Sequence, residues 1–243
     1  MDQGHIDQDR MNPLDLVNLT PLMERTSGRP EIIVGLIDGP VAINHPDLAR
    51  KNIREMPGRL SSTCTQASSA ACLHGTFVAG ILSAKRNAPA PAICPNCTVL
   101  VRPIFAETAP GNGRVPSATP EELAAAIIET IAAGARVLNL SLALAQPSTK
   151  GQRELAEALD YAASRGVIPV AAGNQGTIGS TVITRHPWVI PVVAYDLGGR
   201  PLRESNLGSS LGRRGVGAPG EDTHSSPPLS KTGRPEALAR GST

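Results

Sequence analysis

Three polar residues of this sequence combine side chains that can move a proton and stabilise a negative charge. Asp38 offers a carboxylate, His74 an imidazole and Asn174 a carboxamide. A carboxylate fixes the tautomer of an imidazole, the imidazole takes a proton from a hydroxyl nucleophile, and a carboxamide donates to an oxyanion. Brought to one place, three such groups meet the needs of a catalytic constellation. Taken singly, an aspartate after a strand is usually a turn residue, and a histidine at a helix start is often a cap.

The elements predicted around these residues would bring them to one edge of a sheet. Apolar runs alternate with amphipathic segments, which favours an α/β fold with a mostly parallel sheet and helices on both faces. Asp38 and Asn174 follow predicted strands, and His74 is predicted at the N-terminus of a helix. In such sheets, functional groups gather beyond the carboxyl ends of the strands. The predicted strands are 31–37, 98–105, 137–144, 167–172 and 188–194, and the predicted helices are 74–84, 119–133 and 150–165.

The helix predicted from residue 119 has the clearest start and end. Thr119 can cap it, Pro120 suits its first position, and Glu122 completes a capping box. Gly134 is placed to end it.

Composition excludes several classes of protein. The net charge is +2 without a dense basic block, which argues against a nucleic-acid partner. Apolar runs fall short of the ~20 residues that a bilayer needs. The N-terminus lacks a basic start followed by an apolar stretch, so we expect no signal peptide and a cytoplasmic location. Hydrophobic residues make up 40% but aromatic residues only 2%, so the core must be aliphatic.

Four cysteines allow more than one interpretation. Cys94 and Cys97 have the spacing of a redox motif or of half a zinc site. Cys64 and Cys72 lie eight positions apart, so they do not supply the second close pair that a zinc site favours.

Six motifs in order resemble those of the subtilisin-like serine peptidases, the subtilases. The resemblance covers about residues 30–243 and implies the three-layer α/β fold of that family. The motifs are VGLIDGP at 34–40, NHPDL at 44–48, HGTFVAG at 74–80, LNLSL at 138–142, AAGNQG at 171–176 and APG at 218–220.

The resemblance implies a role for each matching residue. Asp38 would accept a hydrogen bond from the ring of His74 and stabilise the imidazolium. His74 would act as general base and then general acid, and Asn174 would donate to the oxyanion. Because a helix N-terminus disfavours a cation, His74 would need its carboxylate partner. Ser141, Leu142 and Ala143 would form the substrate-binding strand.

The nucleophile departs from the family pattern. The family has Gly-Thr-Ser at the start of a buried helix, whereas this chain ends Gly241-Ser242-Thr243. The distance from Gly220 suits the family, but the order of the last two residues is swapped. Ser242, Thr243 or a residue after position 243 could be the nucleophile.

Two further departures concern substrate and subgroup. Ala143 and Leu144 replace two glycines of the family's binding strand, so its specificity does not carry over. Only about thirty residues precede the strand of Asp38. In this short N-terminal segment, the sequence resembles the intracellular subtilases, including the cyanobactin-maturation proteases.

The subtilase layout also bears on the cysteines. It places Cys72 at the top of the His74 helix and the Cys94/Cys97 pair near the bottom, about ten residues of 1.5 Å rise apart. We therefore predict two local pairs, Cys64 with Cys72 and Cys94 with Cys97, as thiols or disulfides. A single zinc site formed by all four cysteines is disfavoured.

The sequence thus predicts a subtilase catalytic domain over 30–243, incomplete at its C-terminus, after an extension over 1–29. We expect a serine endopeptidase that acts on a peptide or protein, such as a peptide precursor, without a cofactor. Calcium is common in relatives, but no acidic cluster places it here. The rivals are a truncated, inactive subtilase that binds peptides or has no function, and a thiol oxidoreductase at Cys94 and Cys97.

Overall fold

The structure, a computed structural model, describes residues 13–90, 92–108, 117–142, 151–173, 181–203, 205, 209–220, 223–225 and 239–241. In this part of the chain, helices and parallel strands alternate. The helices are α1 (Pro13–Leu16), α2 (Thr20–Arg25), α3 (Ala70–Ser83), α4 (Pro120–Ala132), α5 (Gln152–Ser164), α6 (Val182–Arg185) and α7 (Ser209–Arg214). The strands are β1 (Ile33–Asp38), β2 (Ile53–Glu55), β3 (Thr98–Pro103), β4 (Val137–Leu140), β5 (Ile168–Ala172), β6 (Ile190–Tyr195), β7 (Val216–Pro219), β8 (Thr223–Ser225) and β9 (Ala239–Gly241).

Seven strands form one parallel sheet in the order β2-β3-β1-β4-β5-β6-β7. After β1 the chain moves to one side of the sheet, and after β4 it moves to the other. The strand order therefore reverses between β1 and β4, and a crevice opens beyond the carboxyl ends of these two strands. Asp38 is the last residue of β1 and so lies at this crevice.

Helices cover both faces of the sheet, which confirms the predicted three-layer α/β fold. On one face, α3 packs Phe77 and Val78 against Leu36 of β1 and Val99 of β3. On the other face, α4 and α5 pack against β1, β4 and β5, and both helices are amphipathic as predicted. The core is aliphatic, as a chain with 2% aromatic residues requires.

The start of α4 shows why this sequence folds locally as it does. The side chain of Thr119 accepts a hydrogen bond from the backbone of Glu122, and the Glu122 side chain accepts one from the backbone of Thr119. This reciprocal capping satisfies two donors that the helix would leave unpaired. Gly134 follows the helix with a φ of +96°, a conformation that glycine adopts without strain.

The side chain of Arg86 anchors the N-terminal segment that contains α1 and α2. The guanidinium of Arg86 donates to the carbonyl oxygens of Met23 at 2.9 Å and Thr26 at 2.8 Å. It also donates to the carbonyl of Ile93 at 3.0 Å. Arg86 thereby joins α2 to the loop between α3 and β3.

A two-stranded antiparallel ribbon, β8 with β9, completes the described elements. β8 lies beside α3, and β9 ends at Gly241, which pairs with Thr223. None of the described helices combines the length and apolar character that crossing a membrane would take.

Candidate active site

Asp38 is held at the carboxyl end of β1 by the end of β3, by the residue after it and by Gly39. Its backbone pairs in register with Pro103, and its carbonyl accepts from the N–H of Ile104 at 2.8 Å. The side chain is completely buried, and its Oδ1 accepts from the N–H of Gly39 at 2.6 Å. Oδ2 is also buried and has no hydrogen-bond partner among the described residues. A buried carboxylate with spare acceptor capacity attracts a cationic partner.

His74 lies in the second turn of α3, and the prediction that it begins the helix is wrong. The helix starts at Ala70, because Ser69 caps it by accepting from the N–H of Cys72 at 3.2 Å. The apolar stripe used for the prediction begins only at Phe77, so it gave no signal for the first turn. The helix dipole therefore disfavours a cationic His74 only weakly, since its effect falls off within the first turn.

Two glycines let α3 approach the end of β1 closely. A Cβ at Gly75 would lie 2.5 Å from the carbonyl oxygen of Pro40, and a Cβ at Gly39 would lie 2.1 Å from that of Ala71. Both distances are shorter than real contacts, so a side chain at either position would push the helix away. The close approach brings His74 within reach of Asp38.

Thr76 also contributes to the packing where α3 approaches the end of β1. Its side chain is fully buried and its Oγ1 accepts from the N–H of Ala42 at 2.9 Å. This bond ties the loop after β1 to the same helix. Gly39, Gly75 and Thr76 all lie in the two matching motifs, but their structural roles emerge only from the packing.

The imidazole of His74 and the carboxylate of Asp38 form a hydrogen-bonded pair. Nδ1 lies 2.8 Å from Oδ1 of Asp38. Because a carboxylate oxygen only accepts, Nδ1 carries the hydrogen, and Nε2 of the neutral ring is left as an acceptor. The His74 side chain is 46% exposed, so the ring is open to a reactant.

The hydrogen bond to Asp38 raises the pKa of His74 above its ordinary value of 6.5. Burial acts in the opposite direction, and the negative charge of Asp38 adds to the increase. The pair can therefore hold a proton on the ring and release it to a leaving group, which is what general acid–base catalysis requires.

The predicted binding strand lies on the other side of the crevice. Ser141 follows β4 and its Oγ accepts from the side chain of Asn139 at 2.7 Å. Leu142 is buried in the core beneath α4 and α5. Ala143, Asn174, Ser242 and Thr243 lie outside the described residues. The roles of these residues in catalysis and substrate binding stay predictions.

The cysteines form the two local pairs that the sequence predicted. Cys64 and Cys72 are joined by a disulfide that links the loop before α3 to its first turn. Cys94 and Cys97 are free thiols. Burial and the neighbouring Cys97 raise the pKa of Cys94 to about 12. A thiol that stays protonated at neutral pH is a poor nucleophile, which argues against the thiol oxidoreductase.

One group of described side chains has the composition of a metal site. Ligand atoms of Cys64, Cys72 and Glu107 lie within 4.8 Å of one another. However, the two sulfur atoms are bonded to each other, and Glu107 accepts from the N–H groups of Thr65 and Gln66. Neither the sulfurs nor the carboxylate is left to bind a metal in this state.

Comparison with known proteins identifies the family. The sequence profile of the subtilase family, peptidase S8, matches residues 29–237. Fervidolysin from Fervidobacterium pennivorans is 31% identical over 221 residues, which are 85% of this chain and 30% of that protein. This chain belongs to the subtilase family. The thermophilic serine proteinase of Bacillus sp. (strain AK1) is 32% identical to the subtilase over 200 residues, 78% of this chain and 44% of that protein.

A solved structure extends the comparison to the fold. The prenylagaramide maturation protease PagA has a TM-score of 0.77 and is 28% identical, covering 92% of this chain and 73% of that one. The subtilase described here spans less than half the length of the two curated relatives.

Proposed function

We propose that this subtilase hydrolyses peptide bonds by acyl transfer through a serine. The observation that carries the proposal is the 2.8 Å contact between His74 and the buried Asp38 at the crevice of the sheet. A histidine oriented by a buried carboxylate, with its second ring nitrogen free to accept, is suited to activate a hydroxyl group.

Ser242 is the proposed nucleophile. The ribbon that leads to it supports this choice, because β8 lies beside α3, the helix of His74, and β9 ends at Gly241. Thr243 and a residue after position 243 remain the alternatives, since the order of Ser242 and Thr243 is swapped relative to the family motif.

The proposed reaction proceeds in two acyl-transfer steps. His74 takes the proton of the serine hydroxyl while its oxygen attacks the substrate carbonyl, and Asn174 donates to the resulting oxyanion. His74 then gives the proton to the leaving amine, and an acyl-enzyme remains. Water, deprotonated by His74, releases the acyl group and regenerates the serine. Asp38 orients the ring of His74 and stabilises the imidazolium.

The proposed substrate rests on the crevice of the sheet and on one similar solved structure. Ser141, Leu142 and Ala143 are proposed to bind the peptide backbone along the crevice between β1 and β4. A peptide precursor is the proposed substrate, because PagA is named as a maturation protease and resembles this chain in both sequence and fold.

A fluorophosphonate probe tests the proposal, because it labels hydroxyl groups that the enzyme has activated as nucleophiles. We expect the wild-type chain to be labelled, and we expect the label to be lost in Ser242→Ala and in His74→Ala. Ser164→Ala is a matched control, since the Ser164 hydroxyl donates to the carbonyl of Tyr161 on α5. Peptide mapping of the labelled protein identifies the modified residue.

Two outcomes would contradict the proposal. Label that persists in Ser242→Ala and maps to Thr243 would reassign the nucleophile. A wild-type chain that takes up no label would exclude an activated serine and favour a peptide-binding subtilase without catalysis.

A further inference from the structure

Residues 103–105, at the end of β3 and just after it, contact the backbone of Asp38. Pro103 pairs in register with Asp38, and the N–H groups of Ile104 and Phe105 lie 2.8 and 3.4 Å from its carbonyl oxygen. The path of residues 103–105 is therefore fixed by the backbone of Asp38.

Two residues later the same segment reaches the loop that leads into α3. The carboxylate of Glu107 accepts from the N–H groups of Thr65 at 2.9 Å and Gln66 at 2.8 Å. It also accepts from the Thr65 hydroxyl. Hydrogen bonds to a carboxylate are roughly twice as strong as those between neutral groups. Glu107 thus fixes the start of this loop.

The loop in turn determines where the helix of His74 begins. Ser69, which caps α3, is fully buried and lies with its hydroxyl 3.5 Å from Glu107 Oε1. The disulfide between Cys64 and Cys72 connects the loop to the first turn of the helix. Any shift of residues 65–69 is therefore transmitted to α3.

We propose that Glu107 is a positioning residue that sets the geometry between Asp38 and His74, an inference that rests on the proposed function of this pair. Its backbone segment is attached to the strand of Asp38, and its side chain is attached to the cap of the helix of His74. Glu107 touches neither the substrate nor the reacting atoms. Instead, it sets the distance between β1, which carries Asp38, and α3, which carries His74.

The titration of the His74 ring, followed by NMR, reports this geometry directly. The chain has five histidines, and the His74 signal is assigned by its absence in His74→Gln. In Glu107→Gln we expect the His74 midpoint to fall towards its ordinary value, because the bond to Asp38 lengthens. Turnover should fall about 10-fold to 100-fold with KM unchanged, as for small displacements of catalytic groups.

A control separates geometry from charge. Glu55→Gln removes a carboxylate that contacts the same loop through the hydroxyl of Thr63, 3.0 Å away, but does not contact the cap of α3. We expect the Glu55→Gln variant to titrate and turn over as the wild type does. An equal fall of the His74 midpoint in both variants would overturn the proposal in favour of a simple charge effect.

A folded Glu107→Gln variant in which His74 titrates as in the wild type would also overturn the proposal, even if its melting temperature falls. If Glu107→Gln does not fold, Thr65→Val removes one hydroxyl donor to the carboxylate and should cause a smaller fall in the same direction. An unchanged midpoint there would overturn the proposal. A wild-type chain without turnover or fluorophosphonate labelling contradicts the proposed function, whereas the NMR titration still decides the role of Glu107.

Discussion

Replacing Gly75 by alanine tests whether the close approach of α3 to β1 creates the Asp38–His74 pair. The added Cβ would lie 2.5 Å from the carbonyl oxygen of Pro40 and 2.6 Å from that of Gly39. Both atoms belong to the backbone, so neither can turn aside as a flexible side chain could. The helix itself must move.

The size of the movement follows from these distances. Ordinary contact begins at 3.4 Å, so the helix must retreat by about 0.9 Å from Pro40. If His74 moves with it, the Nδ1–Oδ1 distance of 2.8 Å increases to about 3.7 Å, too long for a hydrogen bond. A misplacement of about 1 Å can reduce turnover by about 100-fold.

Stability should change less than activity in this variant. Overpacking costs ~1–3 kcal/mol, while alanine gains ~1 kcal/mol over glycine inside a helix. We therefore expect the free energy of unfolding to fall by at most about 2 kcal/mol, measured by urea denaturation. The large effects should be a loss of turnover and a fall of the His74 pKa, measured with a peptide substrate and by NMR.

Gly212→Ala is the matched control, because Gly212 lies in helix α7 and an added Cβ would meet nothing within 4 Å. It should leave both readouts unchanged. A folded Gly75→Ala variant with wild-type turnover and a wild-type His74 titration would refute the reasoning, since it would mean that the pair does not depend on the approach of the helix.

Four further outcomes can be measured. Because a neutral His74 is the base and its pKa is raised above 6.5, turnover should increase with pH along a limb centred above 6.5. Asp38→Asn should shift this limb to lower pH. A limb centred at or below 6.5 in the wild type would contradict this. The stability that the pair contributes should be complete below the unfolded pKa of His74 and be lost as the pH rises through the higher folded pKa, as urea denaturation across this range would show. Replacing Cys64 and Cys72 by serine should lower the free energy of unfolding by about 2.5 kcal/mol, since the disulfide closes a loop with a sequence separation of 8; an unchanged urea midpoint would contradict this. Cys94 should resist iodoacetamide at pH 8 in the folded protein and react after unfolding, because its pKa is about 12; rapid alkylation of the native chain would be evidence against its burial.

The sequence predicted the sheet well where a strand is buried on both faces. The strand predicted at 31–37 is observed as Ile33–Asp38, and that predicted at 98–105 as Thr98–Pro103. Their continuous apolar runs are the pattern that such burial imposes. β2 and β7 were not predicted, because edge strands of three and four residues carry too few apolar positions to form a pattern.

In the candidate site, the residues that lie in contiguous motifs were predicted, and those whose roles depend on contacts distant in sequence were not. Asp38 and His74 were identified because their motifs are contiguous in the chain. Glu107 was not identified, because its partners Thr65 and Gln66 lie about forty positions earlier and no local motif marks the contact. The first turn of α3 was missed since Ser69, its cap, precedes residues without an apolar stripe.

The anchoring of the N-terminal segment by Arg86 has a consequence for how this part of the sequence can evolve. Among the described residues, the acceptors that Arg86 contacts are main-chain carbonyl oxygens, at Met23, Thr26 and Ile93. Every amino acid supplies such an oxygen, so the attachment does not require particular side chains at those positions. Substitutions at these positions can therefore accumulate without loss of this attachment, provided that the backbone path and Arg86 are retained.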